Sequence, residues 1–222
     1  MNRQQLIDTF RRRAFDLARP YLWSNDELQE FLDDAHNEAA ERASLLRDST
    51  TDEICVIPII AGTAGYDLDY RILSVERAKL DSQTRPMVIT STEELDLDHP
   101  GWESHTGSVM KVAIDAQGAG WRATLFGVPG ADDTLRLHVF RLPMVSIVGD
   151  ADEPEIHPRL HVSLVDWMMY RAYSKKDAET QDDAKAAEFE AIFTSAFGRR
   201  IDSNVRRKQQ DRAPKVTQFR EF

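Results

Sequence analysis

The sequence predicts an α+β protein in which helices at both ends of the chain frame a β-rich middle. Apolar residues recur at helical spacing in residues 1–50 and 151–211, and they alternate with a period of two through residues 51–150. Residues 212–222 form a separate segment that begins after Asp211, and Pro214 ends any helix there. We therefore predict a discontinuous four-helix frame, two helices N-terminal and two C-terminal, with an inserted small antiparallel β-sheet domain and an extended C-terminal arm.

The N-terminal part is predicted to contain two amphipathic helices. Leu6, Phe10, Ala14 and Leu17 define one face of the first, which we expect to close at Arg19-Pro20. The next helix starts with Ser24 and Glu27 at the spacing of a capping box, and it is predicted to run to about Arg47. Small residues on this second helix favour close packing against a neighbouring helix.

Two further helices are predicted between His157 and Gly198. Pro158 suits a first helical position, and Leu160, Leu164, Met168 and Ala172 then recur every four residues in a wide apolar stripe. The last helix has one apolar face and ends at Gly198. That face is formed by Phe189, Ile192, Phe193, Ala196 and Phe197.

The middle of the chain is predicted to form strands joined by turns. Asp115 to Gly120 is turn-rich and predicts a hairpin, while Thr92 to Leu97 is typical of one helical turn. The predicted strands are residues 53–60, 72–80, 86–90, 109–114, 122–126 and 134–142.

Composition and charge narrow the class of protein. The 222 residues carry a net charge of −10, and no apolar run approaches the length of a membrane helix. From Arg199 to Phe222 there are eight lysines or arginines and three acids, so this end carries +5 and the remainder −15. An acidic body does not wrap DNA, but it suits a wall that DNA passes without binding, and it equally serves solubility.

The sequence contains residue patterns that occur in catalytic, cofactor-binding and metal sites, but each lacks a further residue or element that such a site needs. We therefore predict no enzyme, no cofactor and no metal. His157 and His161 have the spacing of a zinc pair but no third ligand, which favours solvated or capping histidines. Gly118 to Ala123 matches a dinucleotide fingerprint but precedes a predicted strand instead of a helix. The lone Cys55 sits in an apolar run and is predicted to be buried.

Acidic and aromatic residues also have structural interpretations. Asp150, Asp152, Glu153 and Glu155 lack the calcium-loop pattern and are expected to favour the start of the next helix. The tryptophans and tyrosines, among them Trp102, Trp121, Trp167, Tyr66 and Tyr70, are expected in the core or a subunit interface rather than on a surface for single-stranded nucleic acid.

Short segments in the C-terminal helices and in the middle of the chain together match one family pattern. In the C-terminal helices they are Glu153-Pro154-Glu155, Tyr170 to Lys175, and Asp182, Ala184, Lys185, Ala186 and Phe189. In the middle they are Leu73 to Arg77, Thr92 to Leu95, Pro100 to Trp102 and Thr134 to Leu137. With these segments the chain resembles tailed-phage head-to-tail adaptor proteins, the connector group that includes podovirus tail tubular protein A, over roughly residues 1 to 200.

The resemblance implies a structural virion protein at the neck or tail, assembled in the host cytoplasm. It implies a ring of twelve copies below the portal, which extends the DNA channel and presents a platform for a tail or nozzle protein. Double-stranded DNA would pass through without specific binding, and no membrane is involved. The alternative is a nucleic-acid-binding module that uses the basic C-terminal tail.

The tail has no matching family motif, so its predicted role rests on its chemistry. Residues 215–222 alternate basic or polar with apolar side chains, as in a strand that adds to a sheet edge of another chain. The plainer interpretation is a frayed basic terminus. We predict that the arm binds the portal through Arg206, Arg207, Lys208, Val216, Phe219, Arg220 and Phe222.

Overall fold

The computed structural model describes residues 1–107, 109–118, 120–177 and 179–200, and within them helices and strands are mixed. The predicted α+β class is therefore confirmed. The helices are α1 Arg3–Ala14, α2 Asn25–Ala43, α3 Asp52–Cys55, α4 Thr92–Asp98, α5 His161–Ser174 and α6 Asp183–Phe197. The strands are β1 Leu46–Asp48, β2 Val56–Ile59, β3 Gly65–Asp67, β4 Ile72–Leu80, β5 Val88–Thr90, β6 Lys111–Gln117, β7 Gly120–Leu125 and β8 Asp133–Arg141.

The described chain divides into two compact units. The helical unit comprises residues 1–46 and 142–200, and the sheet unit comprises residues 47–141. In the helical unit α5 packs against α1, α2 and α6. Its wide apolar stripe explains this position, because Leu164, Val165 and Met168 are all fully buried in the centre of the unit.

Local signals set the ends of the helices. Ser24 accepts a hydrogen bond from the Glu27 amide while the Glu27 carboxylate accepts one from Ser24, so the predicted capping box is confirmed. The predicted extension of α2 to Arg47 is wrong, because the helix ends at Ala43 and Ser44 turns the chain with a φ of 47°. Residues 46–48 then join a sheet, where β1 pairs with β8.

The first helix is also shorter than predicted. It ends at Ala14 and not near Pro20, because Phe15 adopts a left-handed conformation with a φ of 58° and its amide donates to the carbonyls of Arg11 and Arg12. Leu17, which was expected on the buried face, is 65% exposed. The Asp16 amide also donates to the Arg11 carbonyl, so the chain turns back on the last turn of the helix.

The sheet unit contains two four-stranded sheets, whereas the sequence predicted one antiparallel sheet. In the first, β8 is the common partner of β1, β2 and β4. In the second, the order is β3-β7-β6-β5, with β5 and β6 parallel. The segment between β5 and β6 contains α4, which is the long connection that a parallel pair requires.

Most predicted strands are present, with shifted ends. The predicted strand 72–80 coincides with β4, and the predicted hairpin is formed by β6 and β7. The prediction for residues 53–60 is wrong at its start, since residues 52–55 form the helical turn α3 before β2 begins. Thr51 precedes this turn, and its carbonyl accepts hydrogen bonds from the amides of Ile54 and Cys55.

Candidate interaction surfaces

The seven residues predicted to bind the portal lie outside the described residues. They are Arg206, Arg207, Lys208, Val216, Phe219, Arg220 and Phe222, and the described chain ends at Arg200. The described residues locate the end of α6, after which the C-terminal segment continues. At Gly198 the backbone leaves α6, and its amide donates to the carbonyl of Thr194.

A buried charge network holds the end of α6 to α2. Arg42 donates to Glu38 at 2.8 Å, to the Thr194 hydroxyl at 3.0 Å and to the Gly198 carbonyl at 3.4 Å. Arg200 lies 3.7 Å from the Glu38 carboxylate and 3.7 Å from that of Glu41. Because Glu38 and Arg42 are almost fully buried, the end of α6 is held beside the second half of α2.

An apolar knuckle, which we define as residues 15–22, follows α1. Phe15 is 88% exposed, Leu17 65% and Leu22 53%, with Tyr21 also exposed. This surface was not predicted from the sequence, because the helical spacing of the first helix continues through Leu17. The cluster of four large apolar side chains within eight residues was the available signal, but helical spacing assigned part of it to the core.

A buried ion pair organises the knuckle from below. Arg11 donates to Asp16 at 2.5 Å, and both side chains are more than nine-tenths buried. Arg11 also donates to the Trp23 carbonyl and to Asn25, and it lies 3.7 Å from the Tyr21 ring centre. Asp16 in turn accepts from the Leu22 amide at 2.9 Å. The exposed side chains therefore project from a backbone that is internally bonded.

An acidic loop, which we define as residues 144–156, lies at the other end of α1. Ile147 is buried in the helical core and its amide donates to Asp33 at 2.8 Å, whereas Val145 is 71% and Val148 62% exposed. Asp152 folds back to accept from the Gly149 amide at 2.7 Å. This loop also presents two exposed apolar side chains on a fixed backbone.

The acidic loop is bonded to the start of α1. The Arg3 amide donates to the Asp152 carbonyl and the Gln4 amide to the Asp150 carbonyl, because the free amides at the start of a helix need acceptors outside it. The Arg3 side chain pairs with the Asp150 carboxylate at 2.5 Å. The expectation that the four acids favour the start of the next helix stays a prediction.

The two histidines with zinc-like spacing have different roles. His157 accepts from the Arg159 amide at 3.2 Å and caps a short 3-10 helix, Pro158–Leu160, as predicted. His161 is instead buried, with Nε2 2.9 Å from the Ile156 carbonyl, so its predicted solvation is wrong. Among the residues that the structure describes, no group of His, Cys, Asp and Glu is arranged to hold a metal ion.

Burial of a third histidine, His36, predicts a pH-dependent stability. Desolvation lowers the pKa of His36 to about 4, and its Nε2 accepts from the Glu155 amide at 3.1 Å. Between pH 6.5 and 4 the unfolded chain binds a proton that the folded chain does not, so stability falls as pH falls through this window. We expect His36 to account for a loss on the order of 3 kcal/mol in the free energy of unfolding.

Urea denaturation between pH 7 and pH 4 measures this loss. In His36→Gln, whose side chain keeps an acceptor but does not titrate there, the part of the pH dependence due to His36 should disappear. His99→Gln, the same substitution at an exposed position of the sheet unit, is the matched control for the substitution itself. Equal slopes in wild type and His36→Gln would contradict the prediction.

A cleft of about 440 Å³ lies between the start of α2 and the end of α5. Phe31 and Tyr170 line it together with acidic and basic side chains. Lys175 bonds Glu27 at 2.5 Å across it, and Arg171 bonds Asp34 at 2.8 Å. Both basic side chains that line the cleft are therefore paired with carboxylates.

The sheet unit offers no catalytic arrangement among its described residues. Cys55 is buried as predicted, and its pKa is raised to about 11 mainly by burial, with Asp48 as a second cause. A thiol with that pKa is a poor nucleophile. Gly118 lies in the turn between β6 and β7, so no helix follows the fingerprint-like glycines. Trp102 and Trp167 are buried, as expected for core residues.

Comparison with known protein families assigns the chain to a class of protein. The family model described as SU10 adaptor protein matches residues 1–218. The match covers nearly the whole sequence, and the chain therefore belongs to the SU10 adaptor protein family. Curated proteins give no match.

Family membership confirms the resemblance to phage head-to-tail adaptors. The protein is a structural adaptor of the phage virion, a head-tail connector that acts in virus assembly. Such families are structural rather than enzymatic. None of the described helices is long and apolar enough to cross a membrane.

Proposed function

We propose that this adaptor forms a ring of twelve copies beneath the portal, which extends the DNA channel and presents a platform for the tail or nozzle protein. The observation that carries this proposal is the family match across residues 1–218. The charge distribution supports it, since a body of −15 repels DNA and lets it pass. The ring would assemble in the host cytoplasm and reside in the neck of the virion.

The C-terminal arm is proposed as the portal anchor. Its basic and apolar residues are Arg206, Arg207, Lys208, Val216, Phe219, Arg220 and Phe222. The end of α6, from which the C-terminal segment continues, is held to α2 by Arg42 and Arg200, and this fixed attachment supports the proposal. Backbone pairing with a sheet edge on the portal would supply affinity, and the apolar side chains would supply selectivity.

Native mass spectrometry of the chain mixed with its cognate portal ring tests both parts. We expect saturation at one symmetric ring, and an affinity at least about tenfold lower for a chain ended after Asp211. A full-length variant with Val216, Phe219 and Phe222 changed to serine keeps every charge of the arm and separates its apolar from its ionic contribution.

Each outcome of this experiment supports a different mode of binding. A full ring that survives truncation would keep the adaptor in place and move the portal contact to the helical unit. No binding by the intact chain would overturn the proposal. A steeply salt-dependent affinity for DNA, abolished by removal of residues 206–222, would then favour the nucleic-acid-binding alternative.

A further inference from the structure

The helical unit carries two exposed apolar surfaces at the two ends of α1, the knuckle beside the arginines of the last turn and the acidic loop beside the first turn. The knuckle follows the last turn of α1, and the acidic loop binds the amides of its first turn. A helix of 12 residues is about 18 Å long, so the two surfaces are separated by roughly that distance. One copy cannot bring them together.

The charges beside these apolar side chains are complementary. The knuckle itself has one arginine and one aspartate, and the last turn of α1 adds three arginines, of which Arg11 is paired with Asp16 and Arg13 with Asp166. Arg12 in that turn and Arg19 in the knuckle are exposed. The acidic loop contains four acids and no basic residue, a net charge of −4, of which Asp150 is paired with the buried Arg3 and Glu153 lies 3.7 Å from the N-terminal ammonium.

Their apolar side chains are also exposed on backbones that are already ordered. The Arg11–Asp16 pair fixes the knuckle, and buried Ile147 fixes the acidic loop between Val145 and Val148. Preorganisation lowers the entropy lost on docking. Large apolar and aromatic side chains ringed by charge are the composition of interface hot spots rather than of free surface.

Phe15 gives the clearest sign that the knuckle is selected for binding. A bulky residue in a left-handed conformation is strained, and Phe15 is at the same time 88% exposed. Asparagine or glycine would satisfy the backbone better and would not expose a ring to water. In a single copy, the strained backbone and the exposed ring of Phe15 cost free energy that no contact of comparable size offsets.

We propose that the knuckle of one copy docks on the acidic loop of a neighbouring copy. This inference rests on the proposed ring and identifies its subunit interface. Such a contact joins two different surfaces and is therefore head-to-tail. Repeated head-to-tail contacts close into a ring when a whole number of copies completes one full rotation. Phe15, Leu17 and Leu22 of one copy pack on Val145 and Val148 of the next, and Arg19 faces Glu153.

Charge exchange provides the first test. In Arg19→Glu and in Glu153→Arg like charges face each other, so each should raise by roughly tenfold the chain concentration needed to fill the ring on the portal. The double variant Arg19→Glu/Glu153→Arg restores opposite charges between copies and should recover most of the wild-type filling. Failure of the double variant to improve on both single variants would overturn the proposed pairing.

Phe15→Asn provides a second test that does not risk the fold. Asparagine accepts the left-handed backbone at this position, so the variant should fold at least as well as wild type yet fill the ring at least tenfold less efficiently. Leu97→Asn is the matched control, because Leu97 is 83% exposed in the sheet unit. An equal effect of both variants, or none for Phe15→Asn, would count against the knuckle.

Crosslinking tests the contact without the portal. The double variant Leu17→Cys/Val148→Cys is treated with a bis-maleimide at high chain concentration, either alone or bound to the portal. We expect crosslinking between copies to give a ladder of oligomers. The parent chain, whose Cys55 is buried, should stay monomeric. Leu17→Cys alone should give no dimer, because knuckles do not meet each other. A knuckle-to-knuckle dimer, or the absence of a ladder in both conditions, would overturn the inference. The proposed function is tested separately, because it fails only if the intact chain does not bind the portal.

Discussion

Asp16→Ala is expected to lower the free energy of unfolding of the helical unit by about 3 to 5 kcal/mol, because it leaves the Arg11 guanidinium buried without its carboxylate. Arg11 would keep the neutral acceptors Trp23 and Asn25, which do not balance its charge. The Leu22 amide would lose its acceptor as well. Urea denaturation together with hydrogen exchange at the amides of α1 measures the loss.

Two further variants show whether the loss arises from the charge. Arg11→Met/Asp16→Ala removes both charges and fills the site with an apolar chain, so it should recover a large part of the stability. Lys175→Ala breaks an exposed ion pair with Glu27 in the same unit and should cost less than about 1 kcal/mol. If Asp16→Ala costs no more than Lys175→Ala, the buried pair does not hold the knuckle.

Helix positions could be predicted where the signal is local. The capping box of Ser24 and Glu27 and the four-residue repeat of α5 depend on residues within one or two turns, and both are present in the structure. The end of α1 could not be predicted in the same way. The helical face continues through Leu17 in the sequence, but Asp16 is bonded to the buried Arg11 and the chain turns at Phe15.

Sheet topology was the least predictable part of the fold. The strand pattern located β4 residue for residue, and it located the β6–β7 hairpin, whose partners are adjacent in the chain. It could not show that β5 pairs with β6 in parallel across the segment that contains α4, or that β8 serves three partners. Periodicity reports which face of a strand is buried and carries no information about its neighbour.

The candidate surfaces also differ in how far the sequence predicted them. The basic composition of the arm was visible in the sequence, and so was the resemblance that the family match confirms. The knuckle and the acidic loop were not, because each is defined by what is buried beside it. Ile147 and Asp16 are the residues that point inward, and their burial is what leaves Val148 and Phe15 in solvent.

The second prediction with a large effect concerns Asp48, where the chain enters the sheet unit. Its carboxylate accepts from the Thr50 and Thr51 amides and from the Thr51 hydroxyl, and it pairs with Arg141 at 2.6 Å. Burial opposes ionisation of Asp48, but these hydrogen bonds outweigh it and hold its pKa well below the usual range. Because Arg141 ends β8, the pair joins the first and last strands of the unit.

Asp48→Ala is therefore expected to lower the free energy of unfolding of the sheet unit by about 3 kcal/mol, because several donors lose one shared acceptor. Faster hydrogen exchange should appear first in β1 and at the end of β8, and urea denaturation gives the magnitude. Asp81→Ala breaks an exposed pair with Arg136 in the same unit and should cost less than about 1 kcal/mol. Equal losses in the two variants would mean that burial adds nothing to the Asp48 site, and that the entry and exit strands are held by backbone pairing alone.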